Sequence, residues 1–192
     1  MDTKKRCAWC LGDPLYEAYH DKEWGVPLQD DQLLFEFLTL ETFQAGLSWI
    51  TILRKRENFR KAFDRFDYKK IAQYDENKIQ ELLQNVGIVR NQKKIRAAVN
   101  NAQRFMEIQQ HHGNFSSYIW AFVANRPIQN GFTKETEIPA TTSIATKISE
   151  DLKIRGFQFV GPTVIYAHMQ ATGMVNDHTT DCFRYHEIKQ MT

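Results

Sequence analysis

The sequence has only three cysteines in 192 residues, too few for a disulfide framework. Three cysteines cannot all pair, which favours a reducing compartment and free thiols or metal ligands. The chain also lacks any uninterrupted apolar run near the ~18 residues that a membrane-spanning helix needs. No apolar segment follows the basic start at residues 1–6, so we expect no signal peptide and a soluble, cytoplasmic protein without a membrane partner.

A strong charge of one sign is missing as well, because the formal net charge is only +2. The molecule as a whole is therefore no strong polyanion binder, and a nucleic-acid role would need a local basic patch. One such run is present, Arg54-Lys55-Arg56 followed by Arg60-Lys61. Solvated helix charge explains runs of this kind more often than DNA binding does.

Signals for β-strands are scarce, since two-residue alternation and Gly-Asn hairpins are nearly absent. Hydrophobic residues make up 42% of the chain and aromatic residues 12%, enough to bury a sizeable core. We therefore predict one all-α domain over residues 1–192, with an irregular arm at residues 7–29 that contains one helical turn. Caps and apolar spacing place helices at 32–40, 49–63, 68–73, 76–85, 91–110, 116–124, 143–154 and 162–171.

The stretch LLQNVGIVRNQKKI, residues 82–95, joins two amphipathic runs through a small loop. We expect Gly87 to supply the positive φ of a tight reversal. Asn91 can cap the second helix, whose first N–H groups would face outward beside Arg90, Lys93 and Lys94. A helix N-terminus ringed by cations is a ready phosphate site. Taken alone, however, the stretch is better explained as an ordinary connection between helices with solvated lysines.

Two pairs of potential metal ligands lie at opposite ends of the chain. His178 and Cys182 are four residues apart, which would make them neighbours on one helical face. With Cys7 and His20 they would form a closed tetrahedral zinc site that ties the arm to the C-terminus. Buried thiols and core histidines are one alternative. Another is a CxxC set in which Cys10 joins Cys7, His20 and one C-terminal ligand, and spacing alone does not choose between them.

Five ordered motifs extend from Cys7 to about Cys182. They are YEAYH at 16–20 with WGVP at 24–27, E-x-x-QAGLSW at 41–49, GIVR at 87–90 with KI at 94–95, RGFQFVG at 155–161, and NDH-x-x-x-C at 176–182. Together they resemble the bacterial DNA-3-methyladenine glycosylases I, of the helix–hairpin–helix DNA glycosylase superfamily. Five motifs in this order, over nearly the whole chain, make the resemblance highly specific.

The resemblance implies a helix–hairpin–helix glycosylase fold, with two helical lobes and a base pocket between them. The helical lobe with the hairpin would cover about 30–125, and arms 7–29 and 174–186 would join in a zinc-bound lobe. The implied activity is hydrolysis of the N-glycosidic bond of 3-methyladenine in alkylated duplex DNA by base flipping. It would leave an abasic site and release free 3-methyladenine, and we expect a monomer. The implied ligands of a structural Zn²⁺ are Cys7, His20, His178 and Cys182, which leaves Cys10 spare.

The resemblance also puts Glu41 in the base pocket, as the main catalytic and recognition group. There its carboxylate would accept from the exocyclic amine and offset the positive charge of the methylated ring. Electron-rich rings attract a flat cation by ~0.5–2 kcal/mol each, and the candidate rings are Trp9, Tyr16, Tyr19 and Trp49. Without the resemblance, Glu41 would be interpreted as a solvated acid at a helix end. Trp24 and Trp120 are assigned to core packing.

For DNA contacts the resemblance implicates the hairpin, where the residues that would hold the phosphate backbone are Gly87, Val89, Arg90 and Lys94. It also implicates Leu47, whose side chain would fill the gap left by a flipped base. Most helix–hairpin–helix glycosylases carry an Asp after the hairpin, but residues 95–110 contain none. No lysine is marked as a lyase nucleophile. We therefore predict a monofunctional enzyme that relies on the instability of the lesion. Ala167 stands where family members usually carry a small polar residue.

Two other functions compete with this interpretation. A non-catalytic, zinc-stabilised DNA-binding module would use the hairpin alone and release no base, but it has no need of a carboxylate beside aromatic rings. A zinc hydrolase or thiol enzyme using Cys10 is the second. A catalytic zinc keeps an open coordination position, whereas four protein ligands would close this one.

Overall fold

The computed structural model describes residues 4–191, so residues 1–3 of the basic start, and residue 192, lie outside the described range. The α-helices are α1 (Pro14–Lys22), α2 (Asp31–Gln44), α3 (Trp49–Ala62), α4 (Tyr68–Ile71), α5 (Glu76–Gln84), α6 (Gln92–His112), α7 (Phe115–Ala121), α8 (Ser143–Ile154), α9 (Pro162–Ala171) and α10 (Phe183–Lys189). Two short strands, β1 (Ile128–Gln129) and β2 (Val175–Asn176), pair in parallel. Within residues 4–191 no helix has both the length and the apolar character needed to cross a membrane.

Local side-chain chemistry sets most helix ends, as the sequence predicts. Side-chain oxygens at the N-caps accept backbone N–H groups of the first turns of α2, α4, α5, α6 and α8, and the residues are Asp30, Asp67, Asp75, Asn91 and Thr142. Glycine just past the end of a helix takes the positive φ that other residues resist. Gly113 does so after α6 with φ +82°, and Gly156 after α8 with φ +87°.

Helix α2 is longer than predicted, ending at Gln44 instead of residue 40. The extra turn forms because Phe43 is fully buried and extends the apolar contact of the helix. Glu41 therefore lies inside a helix and is itself buried, so the interpretation as a solvated helix-end acid is wrong.

The two chain ends also differ from the prediction. The arm holds a nine-residue helix, α1, because Asp13 accepts from the N–H groups of Leu15 and Tyr16 and Pro14 occupies the first helical position. At the other end, residues 178–182 form turns instead of a helical face, and α10 begins only at Phe183. His178 and Cys182 therefore meet through a folded turn and not through helical spacing.

Helix α2 is central to the core and packs against α3, α6, α7 and α9. It runs antiparallel to α9, since the Leu28 N–H before α2 donates to the Thr172 carbonyl after α9 at 3.0 Å. Farther along, the His168 imidazole lies 3.2 Å from the Leu34 carbonyl oxygen. A second, smaller apolar cluster joins the arm to the C-terminal segment and includes Tyr19 and Trp24.

The basic run on α3 is largely engaged within the protein. Arg56 is buried and bonds Glu36 at 2.6 Å, and Arg60 bonds the same carboxylate at 2.8 Å. Arg54 pairs with Asp13 on the arm at 2.5 Å. These contacts make the run a structural link between α2, α3 and the arm.

Candidate active site

A pocket of about 220 Å³ opens where the arm meets α2, α3 and α9. Its walls are largely aromatic, with a few polar groups, and consist of Trp9, Tyr16, Tyr19, Trp24, Glu41, Gln44, Trp49, Ile138, Ala167 and Gln170. The structure thus brings together all five pocket residues that the sequence analysis selected. The pocket also contains Trp24, for which the sequence predicts core packing alone. The polar residues Gln44 and Gln170 line it as well, although the sequence predicts no pocket role for them.

The aromatic wall is an interlocked set of rings. Trp9 packs edge-on against Tyr16 and Trp24, with ring centroids 4.8 and 5.0 Å apart. Tyr19 lies 5.5 Å from Trp49, so the arm and α3 close on each other. Tyr16 and Tyr19 are three residues apart on α1, which puts both rings on one face of that helix. A flat, electron-poor ring is the ligand that such walls suit.

Glu41 is the unusual group in this pocket. Its side chain is 3% exposed, and its Oε2 atom has no hydrogen-bond partner among residues 4–191. Burial raises the pKa of this carboxyl to about 8. The indole Nε1 of Trp49 is also buried without a partner in that range. Buried polar atoms are nearly always bonded, so this unpaired acceptor and unpaired donor indicate a site for a polar ligand.

A second constellation lies behind the aromatic wall. Ligand atoms of Cys7, His20, His178 and Cys182 lie within 4.8 Å of one another, and all four residues are buried. The Cys182 sulfur is 3.4 Å from His20 Nε2 and 3.6 Å from His178 Nδ1. Neighbouring nitrogen and sulfur ligands of tetrahedral zinc lie about 3.6 Å apart, given its usual bond lengths. The residues therefore fit such an ion.

The surroundings of the four residues also fit a metal. The second ring nitrogen of His20 lies 2.8 Å from the Asp21 carboxylate, and that of His178 lies 3.1 Å from the Trp24 carbonyl oxygen. Such partners fix the orientation of metal-binding imidazoles. Hydrogen bonds from the Cys7 thiol and both imidazoles hold the pKa of Cys182 far below its usual range.

Cys10 stands apart from this cluster. Its thiol donates to the Cys7 carbonyl oxygen at 3.1 Å, and burial raises its pKa to about 12. It is absent from the group of potential ligands found among residues 4–191. The geometry thus favours the set without Cys10 over the CxxC alternative, and a high thiol pKa is unsuited to a nucleophile.

The hairpin loop between α5 and α6 is formed differently from the prediction. Gly87 does not have a positive φ. Its constraint is steric, since an added Cβ would lie 3.0 Å from Asn85 Oδ1 in the same loop and 3.2 Å from Asn58 Cβ on α3. Asn58 and Lys55 both donate to the Gly87 carbonyl oxygen at 3.4 Å, which holds the loop against α3. The expectation of a left-handed residue is wrong because a tertiary contact, and not the turn alone, constrains this position.

Lys94 also differs from its prediction as an outward-facing phosphate ligand. The residue is buried, and its Nζ donates to the Phe43 carbonyl oxygen at 2.9 Å and to that of Ala45 at 2.6 Å. Those carbonyls end α2 and have no helical partner of their own. Burial lowers the pKa of Lys94. Its ammonium is thus a C-terminal cap that joins the hairpin to the pocket helix.

Other residues selected for DNA contact are more accessible. Arg90 is exposed and Val89 half-buried, beside Val86, which is 75% exposed. Leu47 is 41% exposed in the turn after α2, where Gly46 has φ +85°. The Lys94 contacts place this turn next to the start of α6. The turn is therefore joined to the hairpin by Lys94, and it directly follows Gln44, which lines the pocket.

The chain matches the family model for methyladenine glycosylase over residues 9–185. It belongs to the methyladenine glycosylase family. The matched range begins in one arm and ends in the other. It therefore includes the pocket, the hairpin and most of the Cys/His cluster.

Individual relatives agree with this membership. The chain is 47% identical to DNA-3-methyladenine glycosylase 1 of Escherichia coli K12 over 181 residues, 94% of this chain and 97% of the relative. It is 46% identical to DNA-3-methyladenine glycosylase of Haemophilus influenzae Rd over 177 residues, with coverage of 92% and 96%. A structure that addresses 3-methyladenine recognition by 3-methyladenine DNA glycosylase I from Staphylococcus aureus superposes with a TM-score of 0.90, at 39% identity and coverage of 93% and 95%.

We predict that Lys94→Met lowers the free energy of unfolding by about 1–3 kcal/mol, because two buried carbonyls lose their donor. The exposed neighbour gives a matched control, and Lys93→Met should change stability by less than about 0.5 kcal/mol. Urea unfolding of both variants measures the difference. Equal stability of the two variants, with duplex DNA affinity lost only in Lys94→Met, would restore the phosphate-binding role.

Proposed function

We propose that this member of the methyladenine glycosylase family hydrolyses the N-glycosidic bond of 3-methyladenine in alkylated duplex DNA. The products would be free 3-methyladenine and an abasic site. The names of its relatives support this substrate. The observation that carries the proposal is the aromatic pocket itself, in which a carboxyl oxygen of Glu41 and the indole N–H of Trp49 have no partner among residues 4–191.

In the proposed mechanism the damaged nucleotide leaves the duplex stack and its base enters the pocket. Trp9, Tyr16, Tyr19 and Trp49 face a ring that is flat and positively charged, so stacking and cation–π attraction act together. Glu41 accepts a hydrogen bond from the exocyclic amine and, when ionised, offsets the charge of the ring. The ring is already a good leaving group, and it therefore needs little protonation by a general acid.

The remaining residues support a monofunctional enzyme. Glu107 is the only acid on α6, and it pairs with Arg104 at 2.9 Å, so that helix offers no free carboxylate to activate water. The Lys94 ammonium is occupied by two carbonyls and is not available as a lyase nucleophile. We infer that positioning and electrostatics carry the reaction, assisted by the instability of the lesion.

For DNA binding we assign the edge formed by the hairpin and the turn after α2. Arg90 would pair with a backbone phosphate, while the close fit at Gly87 and the loop at Val89 hold the strand without reading sequence. Leu47 would fill the gap left by the extruded base. Lys94 contributes indirectly, by fixing the turn that carries Leu47.

The arms at 7–29 and 174–186 would be joined by a structural Zn²⁺ held by Cys7, His20, His178 and Cys182. Four protein ligands leave the ion no open position, so its contribution is to stability. The cluster lies directly behind Trp9 and Trp24, whose rings contact His20 and His178 at centroid distances of 5.3 and 4.6 Å. The proposed ion would thereby support the aromatic wall.

Incubation with methylated duplex DNA, followed by chromatography of the released bases, tests the proposed function. We expect free 3-methyladenine, no 7-methylguanine and uncleaved abasic strands, since a monofunctional enzyme does not cut the backbone. Binding to duplex DNA without release of base would instead support the non-catalytic binding module.

Glu41→Gln tests the electrostatic role. We expect kcat/KM on methylated DNA to fall by about ten- to a hundredfold, the effect of one hydrogen bond to a charged group. In the wild-type protein kcat/KM should rise with pH up to about 8, because the carboxyl that favours the cation is protonated below its raised pKa.

In Glu41→Gln, kcat/KM should no longer rise with pH toward 8. Tyr16 and Tyr19 do not contribute to it, because burial raises the pKa of each phenol further above 10. A Glu41→Gln protein with wild-type rates, or with the same pH profile, would contradict the role assigned to Glu41.

Zinc content distinguishes the two ligand sets. We expect Cys182→Ser to lose bound zinc and to lower the melting temperature. Cys10→Ser should keep zinc, since the Cys10 thiol donates to the Cys7 carbonyl and is not part of the ligand cluster found among residues 4–191. Atomic absorption on purified protein measures the metal. Zinc lost with Cys10 and retained without Cys182 would reverse the assignment.

A further inference from the structure

Gln170 lines the pocket from α9 and is held by a buried carboxylate. Asp177, which follows β2, is 1% exposed and accepts three hydrogen bonds. The donors are Asn130 Nδ2 at 2.7 Å, the Tyr166 hydroxyl at 2.6 Å and Gln170 Nε2 at 2.8 Å. The pocket, the C-terminal segment and the β1–β2 region thus meet at one side chain.

This contact fixes the orientation of the Gln170 amide. The Asp177 oxygens accept from three donors, one of which is Gln170 Nε2, so the NH₂ end of the amide faces Asp177. The other end, Oε1, has no hydrogen-bond partner among residues 4–191, yet it is not among the buried unpaired atoms. Gln170 lines the pocket, and this oxygen is its one side-chain polar atom without a partner in that range. The pocket is therefore offered a carbonyl acceptor whose direction the protein has set.

Glu41 by itself is a poor discriminator between bases. As an ionised group it accepts hydrogen bonds, but in its protonated form it can also donate to a base carbonyl. Gln170 cannot donate to the base in the same way, because Asp177 holds its NH₂ group and only the carbonyl oxygen remains. Of these two groups, only Gln170 is therefore confined to accepting.

We propose that Asp177 is a positioning residue that fixes Gln170 as an acceptor, and that this selects methylated purines with an exocyclic amine over those with a carbonyl at the same ring position. The inference rests on the proposed function and names the specificity of the same site. An adenine-type base presents an N6 amine, whereas a guanine-type base presents O6. The two hydrogens of the amine can satisfy Glu41 and Gln170 together, but O6 would face the Gln170 oxygen and leave both unpaired.

Asp177→Asn tests the proposal, because its amide can donate to Gln170 Oε1 and let the Gln170 NH₂ group turn into the pocket. The zinc-loaded full-length protein is titrated with free 3-methyladenine and with free 3-methylguanine, and quenching of tryptophan fluorescence gives each Kd. We expect the preference for 3-methyladenine to fall about tenfold, the value of one hydrogen bond gained or lost.

Tyr166→Phe is the matched control. It removes another donor from the same carboxylate but leaves the contact with Gln170, and Tyr166 does not line the pocket. We expect this variant to lose stability and to keep the wild-type ratio of the two Kd values. If Asp177→Asn fails to fold, Gln170→Leu replaces it, since loss of the acceptor should lower the ratio in the same direction.

An equal loss of affinity for both bases, or an unchanged ratio, would overturn the proposal, because a merely structural role weakens both alike. The same outcome in Gln170→Leu would do so independently of Asp177. Release of bases from methylated DNA by the wild-type protein is measured separately. If the wild-type protein released no base, the proposed function would be refuted. The ratio of the two Kd values would still test the positioning role of Asp177.

Discussion

The meeting of Cys7 and His20 with His178 and Cys182 is the contact on which the pocket depends. The arm has only a small apolar cluster of its own, yet it supplies much of the aromatic wall. Trp9 follows Cys7 by two residues, and Tyr16 and Tyr19 stand on the helix that also carries His20. The fit is close at the other side too, because a Cβ at Gly25 would lie 3.0 Å from His178 Nε2. Residues 162 and 171 positions apart therefore have to meet to form this arrangement.

The buried Glu41 carboxyl is the opposite case, because its Oε2 atom has no hydrogen-bond partner within residues 4–191. Its pKa is about 8 in the folded state and near 4.5 in an exposed carboxyl. Between those pH values the folded protein holds one proton more than the unfolded chain, so this group lowers stability as pH rises. Such a cost is common at functional sites, where an unsatisfied group is reserved for a ligand.

Features fixed by neighbouring residues could be predicted from the sequence. The caps at Asp30, Asp75 and Asn91 and the stop at Gly113 follow from one turn of backbone chemistry. The long-range contacts could not be predicted in the same way. Nothing near Lys94 signals that its ammonium will cap another helix instead of binding phosphate, and nothing near Gly87 signals the approach of Asn58.

In the candidate site, too, residue types could be predicted from the sequence, whereas contacts between distant residues could not. Cys7, His20, His178 and Cys182 were identifiable by residue type, and their geometry agrees with that choice although the helical face predicted for the last two does not exist. Gln170 carried no sequence signal, because a glutamine on an apolar helix acquires its orientation only from Asp177. Asp177 stands in the motif at 176–182, but its burial and its contact with Gln170 arise only in the folded protein.

Under the proposed function, the raised pKa of Glu41 also bears on product release. Cleavage of the glycosidic bond leaves the departing base neutral and moves the positive charge to the sugar. The buried carboxylate that attracted a cation then faces an uncharged ring, and burial favours its protonated form again. Proton uptake by Glu41 would thus weaken the affinity for the free base once the glycosidic bond is broken. The burial that raises the pKa of Glu41 would in this way speed product release.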